Sequence, residues 1–195
     1  PTWGDYAGTS RFAVEGRPAP KPDEEPLATN PSVTPDYFAL LGIRVLQGRG
    51  FTNADRADSL PVVVINESMA LTLWPGESPL GKRLGDTDPA HPNWREIVGV
   101  VSDVQPTAVV EAQAGRFQMY RPWAQAPLSG GTIAVRTRLA PEALASALRR
   151  VVAELDPDLP LRDLGSVRSE IDHVMTNLHL VGGLLTAFAG LGLLL

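Results

Sequence analysis

The feature that most constrains this 195-residue chain is where its charge stops. The last Asp, Glu, Lys or Arg is Asp172, and residues 173–195 carry no formal charge. From Leu178 the sequence runs LHLVGGLLTAFAGLGLLL, with no polar face. A helix over those residues would measure about 27 Å, just short of a ~30 Å hydrocarbon core. A core helix of a soluble domain normally shows a polar stripe, and Gly182, Gly183, Gly190 and Gly192 are better tolerated in a membrane helix. The expectation is therefore the start of a transmembrane helix over 173–195, truncated, in preference to a buried core helix. The N-terminus, PTWGDYAG, has no Met and no basic region followed by an apolar run, so it is not a signal peptide. Both ends read as cuts through a longer protein. Between 156 and 172, Asp156, Asp158, Asp163, Glu170 and Asp172 outnumber Arg162 and Arg168. Cytoplasmic flanks carry a Lys/Arg excess, so residues 1–172 are expected on the extracytoplasmic side.

Composition enters as a set of exclusions. Seventeen Lys and Arg against 22 Asp and Glu leave a net charge of −5, the wrong sign for a generic nucleic-acid or anionic-membrane binder. The absence of cysteine excludes disulfides, thiolate metal sites and cysteine nucleophiles. With 44% hydrophobic residues a core can form, and 18 Gly and 18 Pro require short elements and frequent turns.

The pattern predicts an alternation of short strands and helices. RFAVEG (11–16) reads as a strand, and residues 17–35, with Pro18, Pro20, Pro22, Pro26, Pro31 and Pro35, as an extended loop. Thr34 as N-cap and Pro35 at the first helical position open a helix that Gly42 ends. Strands are expected at 43–48, at PVVVI (61–65), at 81–84, at 94–104 and at 118–122. A helix follows 61–65, capped by Asn66, with Met69, Ala70, Leu73 and Trp74 inward and Pro75-Gly76 as its stop. TIAVRTR (132–138) alternates as a strand should. Residues 141–155 form the best helix, with Leu144, Leu148, Val151, Val152 and Leu155 as its stripe and Arg149 and Arg150 toward its end. A strand at 161–164 and a helix from Ser166 to about Met175 complete the expectation. The order suggests an α+β domain of two βαβ-like halves with a mostly β piece inserted between them.

Several motifs that could carry chemistry do not hold up. Gly76–Lys82 fits G-x-x-x-x-G-K, but Arg83 stands where a phosphate-binding loop needs Ser or Thr. A helix precedes it and a strand follows, the reverse of the required context. His91, His173 and His179 show no ligand spacing, so no metal site is expected. Asp86, Asp88, Glu96 and Asp103 could supply acid–base chemistry only if folding brought them together, and turn or solvent roles are the simpler reading. Ser68 lies in N-E-S-M, not in a G-x-S-x-G elbow. Trp74, Trp94, Tyr120 and Trp123 could line a pocket, although packing is the commoner use of such residues. No catalytic, cofactor-binding or metal residue is assigned.

A set of ordered motifs is more specific. Val33-Thr34-Pro35-Asp36-Tyr37-Phe38-Ala39-Leu40-Leu41-Gly42-Ile43 is followed by Gly48-Arg49-Gly50-Phe51-Thr52 and Asp55. Then come Val62–Glu67 with Asn66, Leu73-Trp74-Pro75, Pro79-Leu80-Gly81-Lys82-Arg83, Ile97–Val104 with Gly99, Val100 and Asp103, and Tyr120-Arg121-Pro122. In that order they resemble the MacB-like periplasmic core domain of MacB/FtsX-type ABC-transporter permeases. The resemblance implies a porter-like subdomain of two βαβ units with a small α/β subdomain inserted, followed by the start of a transmembrane helix. On that pattern residues 1–58 and 131–172 are the two porter halves, 59–130 the insertion and 173–195 the membrane helix. It further implies a non-enzymatic domain in the inner membrane that couples ATP-driven helix motion to export or to periplasmic partners by mechanotransmission. ATP would bind only a separate nucleotide-binding domain, and no cofactor is expected here. Partners implied are a second permease unit, an ABC ATPase subunit or domain, a periplasmic adaptor or lipoprotein, and the membrane, with no nucleic acid. Gly42, Gly48 and Gly50 would supply turns, Gly81 and Gly99 close backbone packing, and Tyr37 and Phe38 the anchor of the first helix. Two other classes are a substrate- or lipoprotein-binding module uncoupled from ATP and a hydrolase built on Asp86, Asp88 and Glu96.

Overall fold

The computed structural model describes residues 8–18, 25–88, 90–104, 116–137, 141–157 and 159. Its elements in chain order are β1 (Thr9–Arg11), β2 (Ala13–Val14), β3 (Leu27–Thr29), β4 (Ser32–Val33), α1 (Tyr37–Leu41), β5 (Val45–Gly48), β6 (Val62–Asn66), α2 (Glu67–Leu73), β7 (Arg83–Gly85), β8 (Arg95–Val101), β9 (Met119–Pro122) and α3 (Pro141–Leu155). They fall into two compact units, one holding everything through β9 and a second holding α3. The fold is α+β. Among the described residues no helix is long and apolar enough to cross a membrane. The membrane helix expected at 173–195, the strand at 161–164 and the helix from Ser166 lie outside the described residues.

The run Val62-Val63-Val64-Ile65 makes β6 the centre of the first unit. It is buried along its whole length, as a continuous β-branched run requires. β6 lies parallel to β8 and antiparallel to β9. The seven-stranded sheet has the order β2-β7-β8-β6-β9-β4, with β5 also paired to β8. A separate antiparallel pair joins β1 and β3. The sheet draws strands from both sides of residue 58.

Strand periodicity divides the core in two. Val63 and Ile65 face one side with Ile97, Leu84 and Phe12, covered by Met69, Ala70 and Trp74 of the α2 region. Val62 and Val64 face the other with Val101, Val33, Phe38, Phe51 and Tyr120. Successive side chains on a strand point to opposite faces, so one apolar run nucleates both cores.

The structure departs from the expected elements at five places. The strand expected at 11–16 is divided between β1 and β2, which lie in separate sheets. The loop expected over 17–35 contains β3 and β4. Pro26 and Pro31 serve there as acceptors, taking hydrogen bonds from Phe12 N at 3.2 Å and Arg121 N at 3.0 Å, roles that need no N–H. Helix α1 begins two residues later than expected. Its N-cap is Asp36, without a side-chain cap bond, and Thr34 contributes its carbonyl to Tyr37 N instead. Residues 132–137, expected as a strand, pair with no described strand, and Ile133 is 72% exposed. Alternation alone forms no ladder without a partner edge. Within α3, Val152 is buried, but Val151 and Leu155 of the expected stripe are exposed and the last turn carries no basic residue.

Candidate functional site

The motif residues gather into two clusters on the first unit. The first is a joint between the loop after β5 and strand β8. Gly48 has a φ of +67° and is paired with Gly99. A Cβ on Gly99 would stand 2.0 Å from the Arg49 carbonyl oxygen, and one on Gly48 would stand 2.2 Å from that of Val98. Only paired glycines let the two backbones approach this closely. Arg49 then turns its guanidinium onto Asp55 with two hydrogen bonds of 2.8 Å each. The Asp55 carboxylate also accepts from Thr52 N at 2.7 Å and from the Thr52 hydroxyl at 3.2 Å. The Arg49 hydrogen bond is the main cause that holds the Asp55 carboxyl below the ordinary carboxylate range, against the opposing effect of burial. The same hydrogen bond raises the pKa of Arg49.

Beneath this joint sits an aromatic cluster. Phe38 packs edge-on against Tyr120 at 5.1 Å and lies 5.8 Å from Phe51, while Tyr37 lies 6.0 Å from Tyr120. Burial pushes the Tyr37 hydroxyl pKa up, and that of Tyr120 further. Phe38 is the buried anchor of α1, with Tyr37 half-buried beside it, and Pro35 lies in the turn that leads in. Gly42 ends α1 at φ +71°. Gly50 is not in the left-handed region, and a Cβ there would meet the Phe38 ring at 3.5 Å. Gly81 has φ +78° and open space at its Cβ position, so it serves a turn rather than the expected close packing.

The second cluster joins the C-terminal ends of β6 and β8. Asn66 is buried, and its amide donates to Asp103 Oδ1 at 2.7 Å and to the Arg116 carbonyl at 2.9 Å. Its Oδ1 accepts from Gln118 N at 3.0 Å. The expected Asn66 side-chain cap is absent. Asp103 caps α2 from across the sheet, accepting from Ser68 N at 2.9 Å and the Ser68 hydroxyl at 2.6 Å. A carboxylate at a helix N-terminus satisfies free N–H groups and complements the dipole. Val100, Pro79 and Pro122 are buried parts of the same framework.

The remaining candidates do not converge. Asp86 pairs with Arg95 at 3.2 Å and accepts from Asn93 at 2.7 Å. Asp88 faces exposed His91 at 3.4 Å. Glu96 is in register with Val62 and Arg83 within the sheet, and Asp103 caps α2 beyond the other end of β8. The hydrolase reading finds no assembled carboxylates here. Among the described residues no group of three or more His, Cys, Asp or Glu could hold a metal ion. Trp74 and Tyr120 belong to different cores, so the four aromatics line no common pocket. In the Gly76–Lys82 segment the N–H groups of Glu77, Gly81 and Lys82 bond to the carbonyls of Trp74, Ile97 and Pro79, so that loop is no phosphate cradle.

What sequence reasoning missed is the surround of Trp74. Arg17 and Lys82 lie over its ring at 5.7 and 5.9 Å, Arg17 donates to the Leu73 carbonyl, and Lys82 pairs with Glu77. Open grooves of about 280 and 300 Å³ flank the indole, one walled by Val14 and Pro75, the other by Gln47 and Pro79. Only the capping Pro-Gly after Trp74 hinted at this from sequence.

Comparison with known proteins matches the chain to a family. The MacB-like periplasmic core domain matches residues 7–154. No curated protein matches the chain. The periplasmic region of MacB from Actinobacillus actinomycetemcomitans is similar in fold, with TM-score 0.53 and 21% identity over 76% of this chain and 64% of that one. A domain assigned to a permease protein from Porphyromonas gingivalis gives TM-score 0.51 and 20% identity over 75% and 60% of the two chains. The extracellular domain of the noncanonic ABC-type transporter YknZ from Gram-positive bacteria gives TM-score 0.46 and 23% identity over 77% and 76%. The chain thus spans less than two thirds of the first two. With a match across most of its length, this chain belongs to the family of MacB-like periplasmic core domains.

Proposed function

We propose that this chain is the extracytoplasmic domain of a MacB/FtsX-type ABC transporter permease in the inner membrane. It couples ATP-driven motion of the membrane helices to export or to periplasmic partners by mechanotransmission. The domain is not an enzyme; it binds no cofactor, and ATP is hydrolysed on a separate nucleotide-binding domain. Its partners are a second permease unit, the ABC ATPase, a periplasmic adaptor or lipoprotein, and the membrane through a helix at 173–195. The observation that carries this reading is the joint of Gly48, Gly99, Arg49 and Asp55. These motif residues lock the loop after β5 to the central sheet. A part that transmits displacement must move as one body, and close backbone packing with a bidentate ion pair supplies that stiffness.

The chain has no cysteine, so a single Leu60→Cys substitution, at a side chain 62% exposed, reports its location. In spheroplasts carrying the full-length protein, with any cysteine outside these 195 residues replaced, a membrane-impermeant maleimide should label this position without permeabilisation. Labelling only after permeabilisation would place the domain in the cytoplasm and overturn the proposal.

A further inference from the structure

Three buried side-chain polar atoms lack a hydrogen-bond partner among the described residues: Asn30 Oδ1, Ser32 Oγ and Arg121 Nε. All three lie on one seam, because Asn30 and Ser32 belong to the segment 25–33 and Arg121 is the register partner of Ser32 on β9. Native proteins leave few such atoms, and each carries the cost of lost hydration. The seam that bears this cost is short. It comprises the two-residue ladder of β4 on β9, one bridge between Thr29 and Gln118, backbone bonds from Thr29 N to Phe117 O, Arg121 N to Pro31 O and Trp123 N to Val33 O, and the Thr29 hydroxyl to Phe117 O at 3.4 Å; the segment's other side pairs with β1, which would move with it. Only Ala28 and Val33 of the segment are buried apolar side chains. The cavity behind the seam, between Asn30, Met119, Arg121 and Arg95, is about 10 Å³, room for one water at most. Burial, reinforced by neighbouring Arg95, lowers the pKa of Arg121, so its charge is held at a cost there. Another edge contact of the sheet differs. The β2–β7 ladder is equally short, but Phe12 beside it is fully buried and none of the three unpartnered atoms lies on it.

We propose that residues 25–33 are a strap poised to lift from β9 while β6 and β8 remain paired, and that the three unpartnered polar atoms, hydrated on opening, set how often it lifts. The strap covers the outermost edge of the sheet, so its release would expose the backbone groups of β9 as a free edge. This inference goes beyond the transporter reading and does not rest on it.

Hydrogen exchange on the full-length protein tests it. The amides of Thr29, Arg121 and Trp123, which bond across the seam, should exchange at least about tenfold faster than those of 62–66 and 95–101, through an opening that leaves β6 and β8 paired. Ser32→Ala removes one unpartnered atom and should slow strap exchange at least about fivefold, and Arg121→Met should act in the same direction. Strap exchange at the same rate as β6 and β8 would overturn the proposal. So would variants that fold normally and leave strap exchange unchanged. A crystallographic water joining Asn30 Oδ1 to Arg121 Nε, with the strap fully protected, would also overturn it.

Discussion

Arg49 and Asp55 face each other with two parallel hydrogen bonds of 2.8 Å, and the carboxylate is nearly buried while the guanidinium is half exposed. Removing Asp55 strands both Arg49 and the Thr52 N–H. Asp55→Ala is expected to cost about 1.5–3 kcal/mol of unfolding free energy. Arg49→Lys, which keeps the charge but loses the fork, should cost about 1 kcal/mol. Urea titration of both variants reads the difference.

The same pair predicts a pH dependence. The folded-state pKa of Asp55 is depressed, so the unfolded chain binds that proton more readily. The contribution is therefore complete above the ordinary carboxylate pKa of about 4 and is lost as the pH falls through it toward the folded value. Wild type should lose more stability than Asp55→Asn between neutral pH and acid. A parallel decline in the two proteins would show that the pair contributes nothing.

Gly99 and Gly42 separate close approach from backbone conformation. Gly99→Ala drives a methyl into the Arg49 carbonyl, and a shift of the joint should cost about 3 kcal/mol or more. Gly42→Ala meets open space and faces only its φ of +71°, a cost of about 1–2 kcal/mol. Thermal unfolding should rank the two in that order.

The Asn66 network predicts another ranking. Asn66→Ala leaves Gln118 N and the Arg116 carbonyl without their partner in a buried site, and should cost about 2–4 kcal/mol. Ser68→Ala removes one hydroxyl donor to Asp103 near the surface and should cost about 0.5–1 kcal/mol. Chemical denaturation distinguishes them.

Trp74 and Leu71 stand within three residues of each other and should behave oppositely. Trp74 is 5% exposed and closes one core, so Trp74→Ala should cost about 3–5 kcal/mol. Leu71 is 63% exposed, and Leu71→Ala should change stability by less than about 0.5 kcal/mol.

The legible parts of the fold were those whose periodicity is decided locally. The β-branched run at 62–65 reads as a doubly buried strand, and α2 and α3 announced themselves by spacing and stops. The short strands β3 and β4 were hidden because each consists of two or three residues between prolines, with pairing supplied by residues near 9–11 and 119–122. The motif order from Val33 to Pro122 pointed to the family, yet sequence order did not show that Arg49 pairs with Asp55 or that Gly99 admits the Arg49 backbone. Nor could it reveal that Asp103, 35 residues away, rather than Asn66 caps α2. The Gly99 approach and the Asp103 cap are set by pairing between strands far apart in the chain, and the Arg49–Asp55 contact by the path of the loop between them.

On the proposed function, the first unit of this domain moves as a body when ATP is used. The most direct measurement is a pair of spin-label distances in the full-length transporter, reconstituted with its ATPase in nanodiscs. Labels at Asp58→Cys on two copies report motion between domains, and a pair at Asp58→Cys and Leu71→Cys reports deformation within one. Trapping with ATP and vanadate should shift the distance between copies and leave the distance within the domain unchanged. An unchanged distance between copies across nucleotide states would contradict the claim.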